Sequence, residues 1–291
     1  MALIPLKIPA GMFRNGTEFE ASGRWRDGNL VRWLGTSLRP VGGWRSRITD
    51  AIAETARAMH TWQDSNNSQW VSMATYNKLY VANVAGTVYD ITPAGFTSGD
   101  NTATVKTGYG YSTYGTSFYG TERPDTGNYS EATTWSLDNY GDYLVGCSVS
   151  DGKAYQWTGN VASPATAIAN APVGNLGLIV TEERFLFLLG GGGEPRTVQW
   201  SDQEDITTWT PASTNQAGSQ ILQTSGQIMA AARGRASVLI FTDIDMHRMT
   251  YVGAPFVYST EKVAEACGLA SRKAVTTVDA GTFWMGHKSF F

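Results

Sequence analysis

From residue 58 onward the chain is a succession of short apolar runs, each closed by a turn, and this cadence narrows the fold more than any other feature. AMHTWQ (58–63), QWVSMAT (69–75), KLYVANV (78–84) and GTVYDIT (86–92) are separated by Asn, Ser and Gly. Within KLYVANV, Leu79, Val81 and Asn83 fall on one face, and Tyr80, Ala82 and Val84 on the other. That period of two is the mark of a strand. The pattern returns in residues 133–159, 177–191, 196–211, 226–253 and 273–291. Asp151-Gly152 between two such runs is a strong hairpin signal.

The runs also resemble one another. KLYVA at 78, DYLVG at 142, RFLFL at 184, SVLIF at 237 and GTFWM at 281 each precede a turn, and the first four lead to an aromatic strand: VYDI, AYQW, TVQW or RMTY. Apart from the first interval, inflated by an insertion, the spacing is about 40 to 55 residues. A period near that value with three or four strands per unit predicts a β-propeller. A β-sandwich shares the close strand spacing and is the alternative. The fold class expected is therefore all-β and propeller-like, with a domain over residues 58–291. Its C-terminus reads as incomplete, because GTFWMGHKSFF stops within a hairpin; a fragment of a longer protein, or closure by another chain, is expected. Residues 51–60 (AIAETARAMH) are the best short helix candidate. The insertion, residues 95–132, is rich in Gly, Tyr, Thr and Ser, and a loop of this length is usually functional or ordered by a partner.

Composition agrees with many strands and tight turns. There are 13 Tyr, 11 Phe, 10 Trp and 32 Gly, while charged residues make up 16%, against about 25% in ordinary domains. The two cysteines, Cys147 and Cys267, are far apart and are expected to be buried thiols. No stretch approaches the roughly 20 apolar residues of a membrane helix, and no secretory leader is visible, so synthesis in the cytoplasm is expected.

Charge is unevenly placed. Residues 1–50 hold eight cations and four acids, net +4, which leaves −7 for the rest of a chain whose total is −3. Residues 1–50 lack helical periodicity and are broken repeatedly by Gly and Pro, so an extended basic arm is expected over residues 1–57. Its densest part, RWRDGNLVRWLGTSLRPVGGWRSR (24–47), interleaves Arg24, Arg26, Arg32, Arg39, Arg45 and Arg47 with Trp25, Trp33 and Trp44. These nine residues are the candidate partner-facing or DNA-facing set. Arg and Trp are enriched at interface hot spots, and Arg pairs bidentately with carboxylates. Contact with a neighbouring subunit is the leading expectation; DNA contact and intrachain ion pairs are the alternatives.

Catalytic constellations are missing from the sequence. There is no phosphate-cradling loop, no nucleophile elbow and no His-Glu-x-x-His. His60, His247 and His287 lie in separate repeat units without ligand spacing. Asp243 and Asp245 read as turn-capping residues before they read as a metal pair. Gly190 to Gly193 reads as a hairpin turn. In WSDQEDITTWTP (200–211), Ser201, Asp205 and Trp209 resemble the Asp-box of sialidase-type propellers, although the spacing differs. That motif is a structural turn in which Asp and Ser bond backbone amides and the Trp plugs the blade.

Four segments taken in order, RWRDGNLVRW…RPVGGWR (24–45), VQWSDQEDITTWTP (198–211), YVGAPFVYSTEKVAEACGLASRKAV (251–275) and GTFWMGHKSFF (281–291), resemble the tail nozzle or tail hub proteins of short-tailed bacteriophages. These are also described as packaged-DNA stabilisation proteins. The resemblance implies a structural virion protein without enzymatic activity or cofactor. It implies six copies in a ring below the portal and the tail adaptor protein, with tail fibre or spike proteins as further partners. Genomic DNA would lie in the lumen without sequence specificity, and no small-molecule substrate is implied. Family members are generally longer than this chain. The alternative from another class is a carbohydrate-binding propeller with Tyr/Trp platforms in residues 107–119 or 62–80.

Overall fold

The computed structural model describes residues 9–43, 46–48, 50–105 and 129–291. It divides into two compact units, Met1–Arg47 and Ile48–Phe291. The division falls ten residues before the first strand of the repeat, at the end of the Arg/Trp segment.

In the first unit, β1 (Val31–Leu34) and β2 (Ser37–Pro40) form an antiparallel hairpin. Gly35 turns the chain with φ +61°, a left-handed conformation that costs glycine nothing sterically. Ahead of the hairpin, Phe13 N–H donates to Trp25 C=O at 2.8 Å. Thr17 and Glu20 cap one another, Glu20 Oε2 accepting from Thr17 N–H at 2.9 Å. Among the described residues of this unit, Ala21 is the single buried apolar side chain.

The second unit is almost wholly β. Its first sheet is a meander of β3 (Ala58–Gln63), β4 (Gln69–Ala74), β5 (Leu79–Asn83) and β6 (Val88–Asp90). A short ladder of β7 (Thr104–Val105) and β8 (Tyr129–Ser130) follows. The second sheet holds β9 (Trp135–Tyr140), β10 (Tyr143–Ser148), β11 (Ala154–Trp157) and β12 (Thr166–Ala167). The third holds β13 (Gly177–Val180), β14 (Leu186–Leu189), β15 (Thr197–Trp200) and β16 (Gly218–Ile221). The fourth holds β17 (Ile228–Gly234), β18 (Ser237–Thr242), β19 (Met246–Gly253) and β20 (Val257–Ala264). A two-stranded fifth sheet holds β21 (Val275–Val278) and β22 (Gly281–Trp284).

The first strands of the successive sheets lie side by side, β3 against β9, β9 against β13, β13 against β17 and β17 against β21. This is the arrangement of propeller blades around an axis. The core is accordingly sliced between blades. Trp62, Leu79 and Ile91 of the first blade pack on Trp135, Leu144 and Trp157 of the second. Val145 and Cys147 of the second pack on Leu178, Leu186 and Leu188 of the third. Phe187, Leu189 and Trp200 of the third pack on Ile240, Met249 and Tyr258 of the fourth. Phe241 and Met246 of the fourth join Cys267 and Leu269, with Trp284 of the fifth against them. Neighbouring residues therefore serve opposite layers. Leu186 and Leu188 face backward while Phe187 and Leu189 face forward. That is why FLFLL (185–189) is continuously apolar rather than alternating: both faces of the strand are buried. A sandwich would place one core between two sheets, whereas the described residues form four interblade layers.

The helix expected over 51–60 does not form. Residues 51–57 are irregular, Glu54 sits at φ +71°, and Ala58 to His60 enter β3. Pairing of β3 with β4 along six residues outweighs the helical preference of the alanines. Ile48 and Ile52 instead cover Met73, Tyr80 and Ala82 on the outer face of the first blade. The centre of the expected insertion, 106–128, lies outside the described residues. Its two flanks are tied by the β7–β8 ladder and by Asp100 N–H donating to Thr133 Oγ1 at 2.8 Å.

Turn chemistry follows the residues singled out by sequence. Gly152 has φ +62°, and a Cβ there would meet Gly174 Cα at 2.7 Å. The Gly190–Gly193 run is the β14–β15 turn, with Gly190, Gly192 and Gly193 all at positive φ. In 200–211, Ser201 Oγ accepts from Leu186 N–H at 3.1 Å, and Asp205 accepts from the Thr207 amide and from the Thr207 and Thr208 hydroxyls. Trp209 is buried and donates to Ile206 C=O at 2.7 Å. The segment is a blade-closing turn, as its resemblance to an Asp-box implies.

Candidate functional site

Of the nine candidate residues, Arg32, Trp33 and Arg39 lie in one short hairpin, and Arg24, Trp25 and Arg26 in the loop before it. In β1–β2, Arg32 stands directly opposite Arg39. Both are exposed, and neither has an ion-pair partner among the described residues. Like charges facing one another across a ladder destabilise it, so this hairpin is better satisfied against an acidic surface than alone. Arg26 pairs with Glu18 at 3.0 Å, with both groups exposed. Arg24 lies over the Phe13 ring, 5.3 Å from its centroid. Arg47 is exposed. Trp25 and Trp33 meet edge to face with centroids 6.4 Å apart, and the buried Trp33 Nε1 has no hydrogen-bond acceptor. Trp44 and Arg45 lie outside the described residues.

Apolar side chains accompany these cations at the surface. Phe19 is 94% exposed and Leu30 74%, and Met12, Leu34, Leu38 and Val41 are exposed as well. Ordering the backbone costs on the order of 1–2 kcal/mol per residue, whereas burial of one large apolar side chain returns about 1.5–3 kcal/mol. Among the described residues of this unit the buried apolar set is Ala21, which has little of that return.

A second cluster, which sequence reasoning missed, lies where the first strands of the blades meet. Asp138 on β9 is buried. Its carboxylate accepts from Val180 N–H of β13 at 2.9 Å and is engaged by the Arg233 guanidinium of β17. Arg233 Nε donates to Val180 C=O at 2.7 Å. His60 of β3 approaches Asp138 at 4.0 Å and meets Asn139 Oδ1 at 3.1 Å. Asp138 thereby links three blades, and its neighbour Asn139 ties in the first through His60. The available signal was an aspartate inside the apolar run WSLDNY and an arginine closing IMAAAR. An acid at mid-strand is uncommon unless it is paired.

The remaining polar candidates are structural. Asp243 accepts from Gln227 N–H at 2.9 Å. Asp245 is buried and accepts from Thr242 Oγ1 at 2.6 Å, with His247 at 3.1 Å. Desolvation opposes its ionisation, but the Thr242 and Thr224 hydroxyls, His247 and Lys262 together hold its carboxyl below the ordinary value. The two aspartates thus cap the β18–β19 turn and the segment beside it. His60, His247 and His287 stay apart, His60 stacking on Trp62 at 6.0 Å. Among the described residues no group of three or more His, Cys, Asp or Glu side chains could hold a metal ion. Cys147 and Cys267 are free and buried, and burial pushes both thiols up. Of the aromatic rings in 62–80, Trp62 and Tyr80 are buried, and Trp70 meets Trp157 edge to face at 5.3 Å. Residues 107–119 lie outside the described set.

No protein-family model matches the chain, and no curated protein matches it. Solved structures with a similar backbone include virginiamycin B lyase from Staphylococcus aureus, at 9% identity and TM-score 0.44 over 77% of this chain and 61% of the lyase. The chain thus spans less than two thirds of that enzyme's length. YCF48 bound to D1 peptide aligns at 12% identity and TM-score 0.44 over 86% of this chain and 68% of YCF48. BBS1N in complex with ARL6DN aligns at 13% identity and TM-score 0.46 over 87% of this chain and 68% of that protein.

Proposed function

We propose that the chain is a structural, non-enzymatic subunit of the tail nozzle or hub of a short-tailed bacteriophage. In this reading several copies, six by the family resemblance, form a ring below the portal and adaptor. Tail fibres or spikes attach to the ring, and the genome is retained in it and then passes through. The observation that carries the reading is the basic first unit. Among the described residues it has one buried apolar side chain and a pair of opposed arginines without ion-pair partners, and the chain after residue 50 is net −7. Such a unit fits the acidic surface of a neighbouring copy better than it fits water. The order of the four quoted segments supports the phage assignment. A lightly acidic body also suits a conduit, because a strongly basic wall would hold phosphates too tightly for DNA to slide.

Electron microscopy of virions carrying a tagged copy of the chain tests the assignment. Label in a ring on the tail axis below the portal is the expected result. Label on the capsid shell, or none on the particle, would remove the reading. Against the carbohydrate-binding alternative, Trp62 and Trp70 are taken up by the interblade core.

A further inference from the structure

A cavity of about 330 Å³ opens between β9, β13, β17 and the segment entering β21. Its volume falls at the low end of the roughly 300–1,000 Å³ typical of small-molecule sites. Three cations and one carboxylate line it: Arg233, Arg272, Lys273 and Asp138. Asp138 pairs with Arg233 and Glu131 lies 3.7 Å from Arg272, so Lys273 is the cation of this wall left without an ion pair among the described residues.

The unpaired charge has a definite location. Asp138 is taken up by Arg233. Arg272 donates through Nη1 to Met229 C=O at 3.1 Å and to Ile228 C=O at 3.4 Å, which fixes its guanidinium beside β17. Its buried Nε has no hydrogen-bond acceptor, since the nearest carboxylate oxygen, on the half-exposed Glu131, is 3.7 Å away. Lys273 has no ion pair or hydrogen bond among the described residues. By surface area Lys273 is open to solvent, yet enough protein surrounds it for desolvation to lower its pKa. Both statements hold for a side chain on a concave wall, which water reaches but does not surround. Burial lowers Arg272 as well. Leu178, Ile179 and Met229 complete an apolar floor, and a charge of opposite sign is held more strongly there than at an open surface.

We propose that this axial cavity binds a small oxyanion of the phosphate class, held by Arg272 and Lys273. The anion would answer the unpaired charge of Lys273 and supply the acceptor that Arg272 Nε lacks. It would also tie the segment entering β21 to β9 and β17. The inference is independent of the phage reading: it concerns the body of the propeller and not the arm.

Isothermal titration of the full-length protein with inorganic phosphate, at constant ionic strength maintained with chloride, tests the proposal. The expected result is saturable binding at one site per chain. Lys273→Gln should weaken it at least tenfold while leaving the melting temperature without phosphate unchanged, because Lys273 has no partner to lose. Lys273→Arg, which keeps the charge, should retain saturable binding. Absence of saturable binding to the wild-type protein would overturn the proposal. So would equal affinity in Lys273→Gln, or binding seen with a single-stranded oligonucleotide and not with phosphate.

Discussion

The two units of this chain solve opposite problems. The propeller body buries both faces of its strands in successive interblade layers and closes its turns with specific side chains. The arm forms a hairpin with two arginines opposed and its apolar residues at the surface. The contrast teaches that exposure is itself structural information. In the body, sequence and fold satisfy one another; in the described part of the arm, the same residue types stay largely exposed. Aromatic residues show it best. Trp135 is fully buried and donates to Thr75 C=O at 2.8 Å, bridging two blades. Trp25, by comparison, is 38% exposed.

The largest expected effect comes from deleting a tryptophan in each unit. Trp135→Ala should cost about 3–5 kcal/mol in urea denaturation, through a cavity and an orphaned carbonyl. Trp33→Ala should cost less than about 1 kcal/mol in the unassembled chain. Equal costs would mean that the arm is as self-sufficient as the body. Next come two glycines of nearly equal φ. Gly152→Ala combines left-handed strain with a clash against the Gly174 backbone and should cost more than about 2 kcal/mol. Gly35→Ala meets nothing within 4 Å and should cost about 1 kcal/mol, from strain alone. Thermal melts of the two variants would separate clash from strain.

Arg39→Glu sharpens the comparison further. It sets opposite charges across the hairpin from Arg32, so the isolated hairpin should gain about 0.2–1 kcal/mol. Assembly should nonetheless weaken, because the arm loses a cation. A variant that destabilised the hairpin would break the like-charge argument. The smallest effect is acid sensitivity at the 200–211 turn. The Thr207 hydroxyl, the Thr207 amide and the Thr208 hydroxyl hold the Asp205 carboxyl below its ordinary 3.8. A depressed carboxyl contributes stability that is present above that value and is lost as pH falls through the folded one. The stability gap between wild type and Asp205→Asn should therefore narrow as pH falls from about 5 towards 2. A gap that widened would contradict the hydrogen bonding.

Much of the body was legible from residue patterns because its determinants are local. Period-two runs, Asp151-Gly152 and the 200–211 turn each carry their own signal. β12, β16 and β20 were harder to see. Two are short or polar edge strands, GSQI and TA, and VYSTEKVA pairs with β19 through side chains that face solvent along much of its length. The false helix at 51–60 arose because alanine propensity is visible locally while β3–β4 pairing is not. The Asp138–Arg233 link escaped because its partners are 95 residues apart and meet only once the blades are arranged around the axis. In the arm, sequence identified the residue types, and the structure added that Arg32 and Arg39 face each other.

The most direct measurement is the mass of the purified full-length chain in solution, by sedimentation velocity at physiological and at high salt, for wild type and Arg39→Glu. The account predicts a closed ring of several copies at physiological salt, weakened by high salt and by the substitution. A monomer at every concentration and salt, unchanged in Arg39→Glu, would contradict it.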